Sequence, residues 1–156
     1  MSKSEERKPL PKYTYVIVAV MAVVFVVRLF MPANFGTTFD KIGLDAKEIT
    51  VTAIDDEKSY ASYGTNVKSD VDEFRDFLSG WKLRYATLAD TMKLNGTTGI
   101  TKYSFLVISN EGTYYSMSID TRGYVLIGTA AYKIAGDKAQ FITEMADRMS
   151  KWTYIK

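Results

Sequence analysis

The chain has 156 residues with 20 basic and 18 acidic side chains, no histidine and no cysteine. Without those two types there is no disulfide framework, no thiolate or imidazole metal ligand, and neither the usual general base nor a cysteine nucleophile. The basicity is uneven: residues 1–31 hold five basic and two acidic groups and residues 32–156 hold 15 and 16, so no basic stripe remains to neutralise phosphates and no nucleic-acid partner is expected.

After a basic tail, residues 1–12, the first element is 13–31, YTYVIVAVMAVVFVVRLFM. Its uninterrupted apolar core, from Val16 to Val27, is about 12 residues, short for a membrane span. Its flanks lengthen it. Tyr13 and Tyr15 suit the headgroup region, Phe30 continues the apolar character, and Arg28 lies within a turn of the end, where it can snorkel to water. Taken from 13 to 31, a helix covers roughly 28 Å, close to the hydrocarbon thickness. A cleavable export signal needs small residues before the cut, and the sites near Ala33 lack that pattern. A surface helix of a soluble protein would show a polar face, and 16–27 has none. A retained transmembrane anchor is therefore expected, with membrane lipid as its partner. Lys3, Arg7, Lys8 and Lys12 precede it, which keeps the N-terminus cytoplasmic and sends the rest of the chain outside.

Residues 32–47 lack sustained periodicity and read as a tether with one helical turn at most. An extracytoplasmic domain, 48–156, follows. EITVTAI and SYASYGTNV, joined by a DDEK turn, predict a hairpin. SDVDEFRDFLSG predicts a helix with Ser69 as its cap, Gly80 as its stop, and Val71, Phe74, Phe77, Leu78 and Trp81 on one face. A short strand at 81–85 and an irregular excursion at 86–99 come next. YSFLVISNEGTYYSMSIDTRGYVLIG holds three alternating runs separated by NEG and DTRG, an antiparallel meander with glycine at left-handed turn positions. The last helix opens with a capping box at Asp137 and Gln140 and buries Phe141, Ile142, Met145, Met149 and Trp152. The order ββα-(β)-βββα predicts an α+β fold of two layers, antiparallel sheet with helices on one face.

Few residues carry chemistry. Ser79 and Lys82 match the Ser-x-x-Lys pattern of acyl-transfer enzymes, but the companion motifs are missing and a helix end explains them. Asp55, Asp56 and Glu57 lack the alternation and central glycine of a calcium loop. Asn95 begins an NGT sequon that also reads as a plain Asn-Gly turn. No catalytic residue, cofactor or metal site is assigned, and no enzymatic activity is expected. Tyrosine is the one hint of binding, since it offers large area at low entropic cost; Tyr60, Tyr63, Tyr85 and Tyr114 form the candidate interaction surface. The layout resembles that of short, anchored, cysteine-free envelope proteins of Gram-positive bacteria. The expected function is an extracytoplasmic interaction module that binds another envelope protein or a cell-wall component. The rival readings are an accessory subunit whose span packs against other spans of a membrane complex, and, more remotely, a small carboxylate-dependent envelope enzyme.

Overall fold

The computed structural model of the chain describes residues 11–43, 46–55, 58–87, 90 and 99–155, with backbone alone at 28, 29, 42, 43 and 58–60. The chain divides into two compact units, one ending at Met31 and one starting at Pro32.

The first unit is helix α1, Lys12–Phe30, 19 residues long. Pro11 precedes it and Pro32 follows it closely, so proline bounds it on both sides. Every side chain from 15 to 27 is exposed, with no polar face among them. Among the described residues no helix is long and apolar enough to cross a membrane. The strictly apolar run of α1 accounts for only about 18 Å, and Arg28 and Leu29, whose side chains lie outside the described set, separate it from Phe30.

The second unit runs β1 (Ala33–Asn34), α2 (Phe35–Gly43), β2 (Ala46–Asp55), β3 (Lys58–Thr65), α3 (Lys68–Ser79), β4 (Lys82–Tyr85), β5 (Thr101–Ser109), β6 (Tyr114–Asp120), β7 (Tyr124–Ile127), β8 (Ala130–Ala135), α4 (Lys138–Met149) and β9 (Thr153–Tyr154). It is an α+β domain. All nine strands pair antiparallel in one sheet, in the order β1-β4-β8-β7-β6-β5-β2-β3-β9. The meander expected of three strands has a fourth, β8, and its NEG and DTRG turns place Gly112 at φ 79° and Gly123 at φ 84°.

Period-two alternation decides which side chains face the helices. Val51, Phe105 and Met117 stand opposite one another on β2, β5 and β6, as do Ile49 and Val107, and all are buried. Against them α3 sets Val71, Phe74, Phe77 and Leu78, and α4 sets Phe141, Met145 and Met149. Phe74 stacks on Phe105 at 5.6 Å and meets Trp152 edge-on at 5.3 Å, while Phe77 stacks on Phe141 at 5.2 Å. Trp81 and Ile142 are only half-buried at the margin of this core.

Residues 32–47 are not a tether. Asn34 closes the sheet edge against Lys82 and then starts α2: its Oδ1 accepts from the Thr37 amide at 3.0 Å, and its carbonyl accepts from the hydroxyls of Thr37 and Thr38 at 3.0 and 2.9 Å. Phe35 and Phe39, one turn apart, are fully buried in the common core. Gly36 lets α2 press on the end of α3. A methyl group there would overlap the Ser79 hydroxyl and come within 2.9 Å of the Ser79 Cα. Gly36→Ala should therefore destabilise the domain by about 1–3 kcal/mol in urea unfolding; an unchanged midpoint would mean that α2 is not seated there.

Ser69 is not the cap of α3. The helix begins one residue earlier, and Thr65 organises its entry by accepting from the Val67 amide at 3.1 Å and donating to Asp70 at 2.9 Å. Asp137 does cap α4, accepting from the amides of Ala139 and Gln140. The Gln140 side chain does not return the bond; its amide donates to Glu144 at 2.9 Å.

Candidate functional site

The four candidate tyrosines do not share one surface. Tyr63 on β3 is half-buried on the helix-facing side, its ring edge-on to Tyr154 at 5.5 Å. Tyr85 lies on β4, six places away in the sheet order, where its ring is 4.9 Å from Tyr132. Burial first, and the neighbouring Tyr85 hydroxyl second, push the Tyr132 phenol above its ordinary pKa, so it stays protonated. Tyr114 opens β6 on the opposite face, opposite Ile108, and at 68% is the most exposed of the three whose side chains are described. The Tyr60 side chain lies outside the described residues. Among the anchor residues, Tyr13, Tyr15, Val16, Val27 and Phe30 are all exposed on α1, and Arg28 has no described side chain.

The residues that converge most tightly were not selected by sequence pattern. Asp90 falls in the stretch read as a surface excursion, yet it is 8% exposed. One carboxylate oxygen accepts from Arg84 Nη1 at 2.9 Å and from the Thr87 amide and hydroxyl at 3.0 and 2.9 Å. The other accepts from the Tyr124 hydroxyl at 3.2 Å and Lys133 Nζ at 3.4 Å. The Tyr124 ring itself is approached by two cations, Lys133 Nζ at 5.0 Å and the Arg122 guanidinium at 5.3 Å. Arg122 in turn grips Asp120 through Nε at 2.9 Å and Nη2 at 2.6 Å, and the other Asp120 oxygen accepts from the amides of Arg122 and Tyr124. Strand alternation puts Arg84, Lys133 and Tyr124 on the sheet face away from the helices, so Asp90 is held on that face.

Those contacts determine what the cluster can do. The Arg84 guanidinium, then the Thr87 amide, hold the Asp90 carboxyl far below the usual carboxylate range. Both of its oxygens are engaged, so it does not exchange a proton near neutral pH and acts as a clamp rather than a general acid or base. Asp90→Asn should lower the stability of the domain by about 2 kcal/mol at pH 7, because Arg84 and Lys133 lose their charged acceptor. A depressed folded-state pKa contributes stability that is complete above the unfolded value and is lost as pH falls through the folded one. The gap between wild type and variant should thus hold steady down to about pH 5 and narrow below about pH 4. A gap that stays constant from pH 5 down to pH 2 would remove Asp90 from this role.

Two clefts flank β3. One of about 400 Å³ lies between the entry of α3 and β9, with Glu48, Asp70 and Lys151 on its walls. The other, about 300 Å³, lies between α4 and the sheet over Ala53 and Ala61. Among the described residues no three acidic side chains converge as a metal site would require. Ser79 donates its hydroxyl to the Arg75 carbonyl at 3.0 Å as a residue of a helix end. Asp56, Glu57 and Asn95 lie outside the described residues. Comparison with protein-family models, curated proteins and solved structures found no match.

Proposed function

We propose that this chain is an interaction module held at the outer face of a cell membrane by α1, and that it binds another envelope protein or a cell-wall component. The observation that carries the proposal is the exposure of α1 on all sides. A helix with no polar face is stable where apolar surface surrounds it, in lipid or against other spans, and its exposed area far exceeds what a monomeric soluble protein tolerates. The backbone helix is 19 residues long, so the span reaches roughly 28 Å once Tyr13, Tyr15 and Phe30 are drawn into the interfaces. Valine is a mediocre helix former in water, and lipid removes the alternative hydrogen-bond partners that would compete with the helix.

The domain suits binding better than catalysis. Its Asp90 cluster is saturated by its own hydrogen bonds, while the central strands present uncharged side chains on the face away from the helices. The absence of cysteine makes the test direct. Single cysteines are placed at Asp147, exposed on α4, and at Ser4. In intact cells an impermeant maleimide should label Asp147→Cys and leave Ser4→Cys untouched until lysis. The opposite pattern would overturn the orientation. Crosslinking in native membranes should then trap a second envelope component, and a lone monomer under every condition would sink the binding role.

A further inference from the structure

We infer that the exposed face of the sheet pairs two copies of this chain, related by a two-fold axis that runs across the strands. This rests on the anchored-module reading and names one partner for it. Away from the helices, the central strands present Thr50, Thr52, Ser104, Leu106, Ser116 and Ser118, all half-buried or exposed, with Leu106 41% exposed. This patch is uncharged; charge returns at its two ends, at one of which Asp120 stands opposite Lys102, and farther across the sheet at Arg84 and Lys133. Lys102 lies at one end of β5, and Glu48 lies on β2 at the other, beside Ile108 of β5. Among the described residues neither has an ion-pair partner.

A two-fold axis lying in the interface, perpendicular to the strands at the level of Phe105, exchanges those ends. It sets Lys102 over the second copy's Ile108, one strand and so about 5 Å sideways from the second copy's Glu48. With stacked sheets about 10 Å apart, the two long side chains span the gap. The pairing is reciprocal, so one rotation makes two ion pairs around an uncharged centre.

Chain connectivity is compatible with this axis. The α1 segment leads through Met31 and Pro32 into β1, which is the edge strand of the sheet. Two copies anchored in one membrane with the same topology are related by an axis along the membrane normal. An axis running from the β1 edge to the β9 edge delivers both chains at the same end, as that arrangement requires. The area adds a further condition. Three strands by seven residues give about 14 by 24 Å, roughly 340 Å² per copy against the roughly 800 Å² per partner of a stable soluble complex. Pairing is therefore weak in free solution and forms when one leaflet confines both copies.

The test uses the full chain in phospholipid vesicles, with flotation as a separate readout of anchoring. Ser104→Cys should give a dimer with a short bismaleimide at least tenfold above Thr143→Cys, which is exposed on the helix side. In the Ser104→Cys chain, Lys102→Glu should cut the yield several-fold, and adding Glu48→Lys should restore it. A chain that floats but crosslinks no better than the Thr143 control, or a charge swap that does not restore the yield, overturns the pairing and leaves the anchor standing. Capture of a different protein at Ser104 in native membranes overturns it too, while supporting the module. A chain that does not float fails at the anchor and takes the pairing with it.

Discussion

A chain carrying Val20→Asp and Val24→Asp is expected to leave the membrane fraction and remain in the supernatant after ultracentrifugation without detergent. Both positions lie in the middle of α1 and both side chains are exposed there. A carboxylate at the centre of a span costs about 3 kcal/mol, so the pair removes roughly 6 kcal/mol, about 10⁴-fold in partition. Because α1 and the domain are separate units, the urea midpoint of the domain should be unaffected. Retention of the double variant in carbonate-washed membranes would refute α1 as the element that holds the chain there. Loss of the wild-type chain to the supernatant would do the same.

Phe39→Ala should destabilise the domain by about 3–5 kcal/mol, the usual cost of emptying a fully buried phenylalanine site. Phe39 is 0% exposed and meets Phe74 edge-on at 6.3 Å, so its removal opens a void where α2, α3 and the sheet converge. Lys41→Ala, on the exposed side of the same helix, should change stability by less than about 0.5 kcal/mol. Equal effects from the two variants would return α2 to the status of a linker. A Phe39→Leu variant keeps much of the volume and should recover most of the loss, which separates packing from misfolding.

The difference between those two substitutions shows where sequence reasoning stops. The two long helices were legible because their apolar residues repeat every three to four positions, and β5 and β6 because theirs alternate. In α2 the same stripe is only Phe35 and Phe39, interrupted by Gly36 and two threonines that lower helix propensity. The missed signal was Asn34 immediately before the first phenylalanine, an N-cap residue in position. β8, AAYKIA, alternates weakly because alanine contributes little contrast. The Asp90 cluster has no local signature beyond a threonine three residues before an acid, since Tyr124 and Lys133 stand 34 and 43 positions away. Tyrosine content, conversely, signalled a surface that register disperses: alternation sends Tyr63 and Tyr85 to the helix side and Tyr114 to the other.

A sheet of nine strands is a hazard if its border is long and straight, because each open border can template the next chain into a growing fibril. Here the outermost strands at both borders, β1 and β9, are two residues each. The remainder of β3 is broken where the register slips between Ala53 and Ile54 and Tyr60 becomes the extra residue. Both margins therefore offer little straight border for lateral polymerisation, and a crowd of these molecules would form finite assemblies instead of filaments.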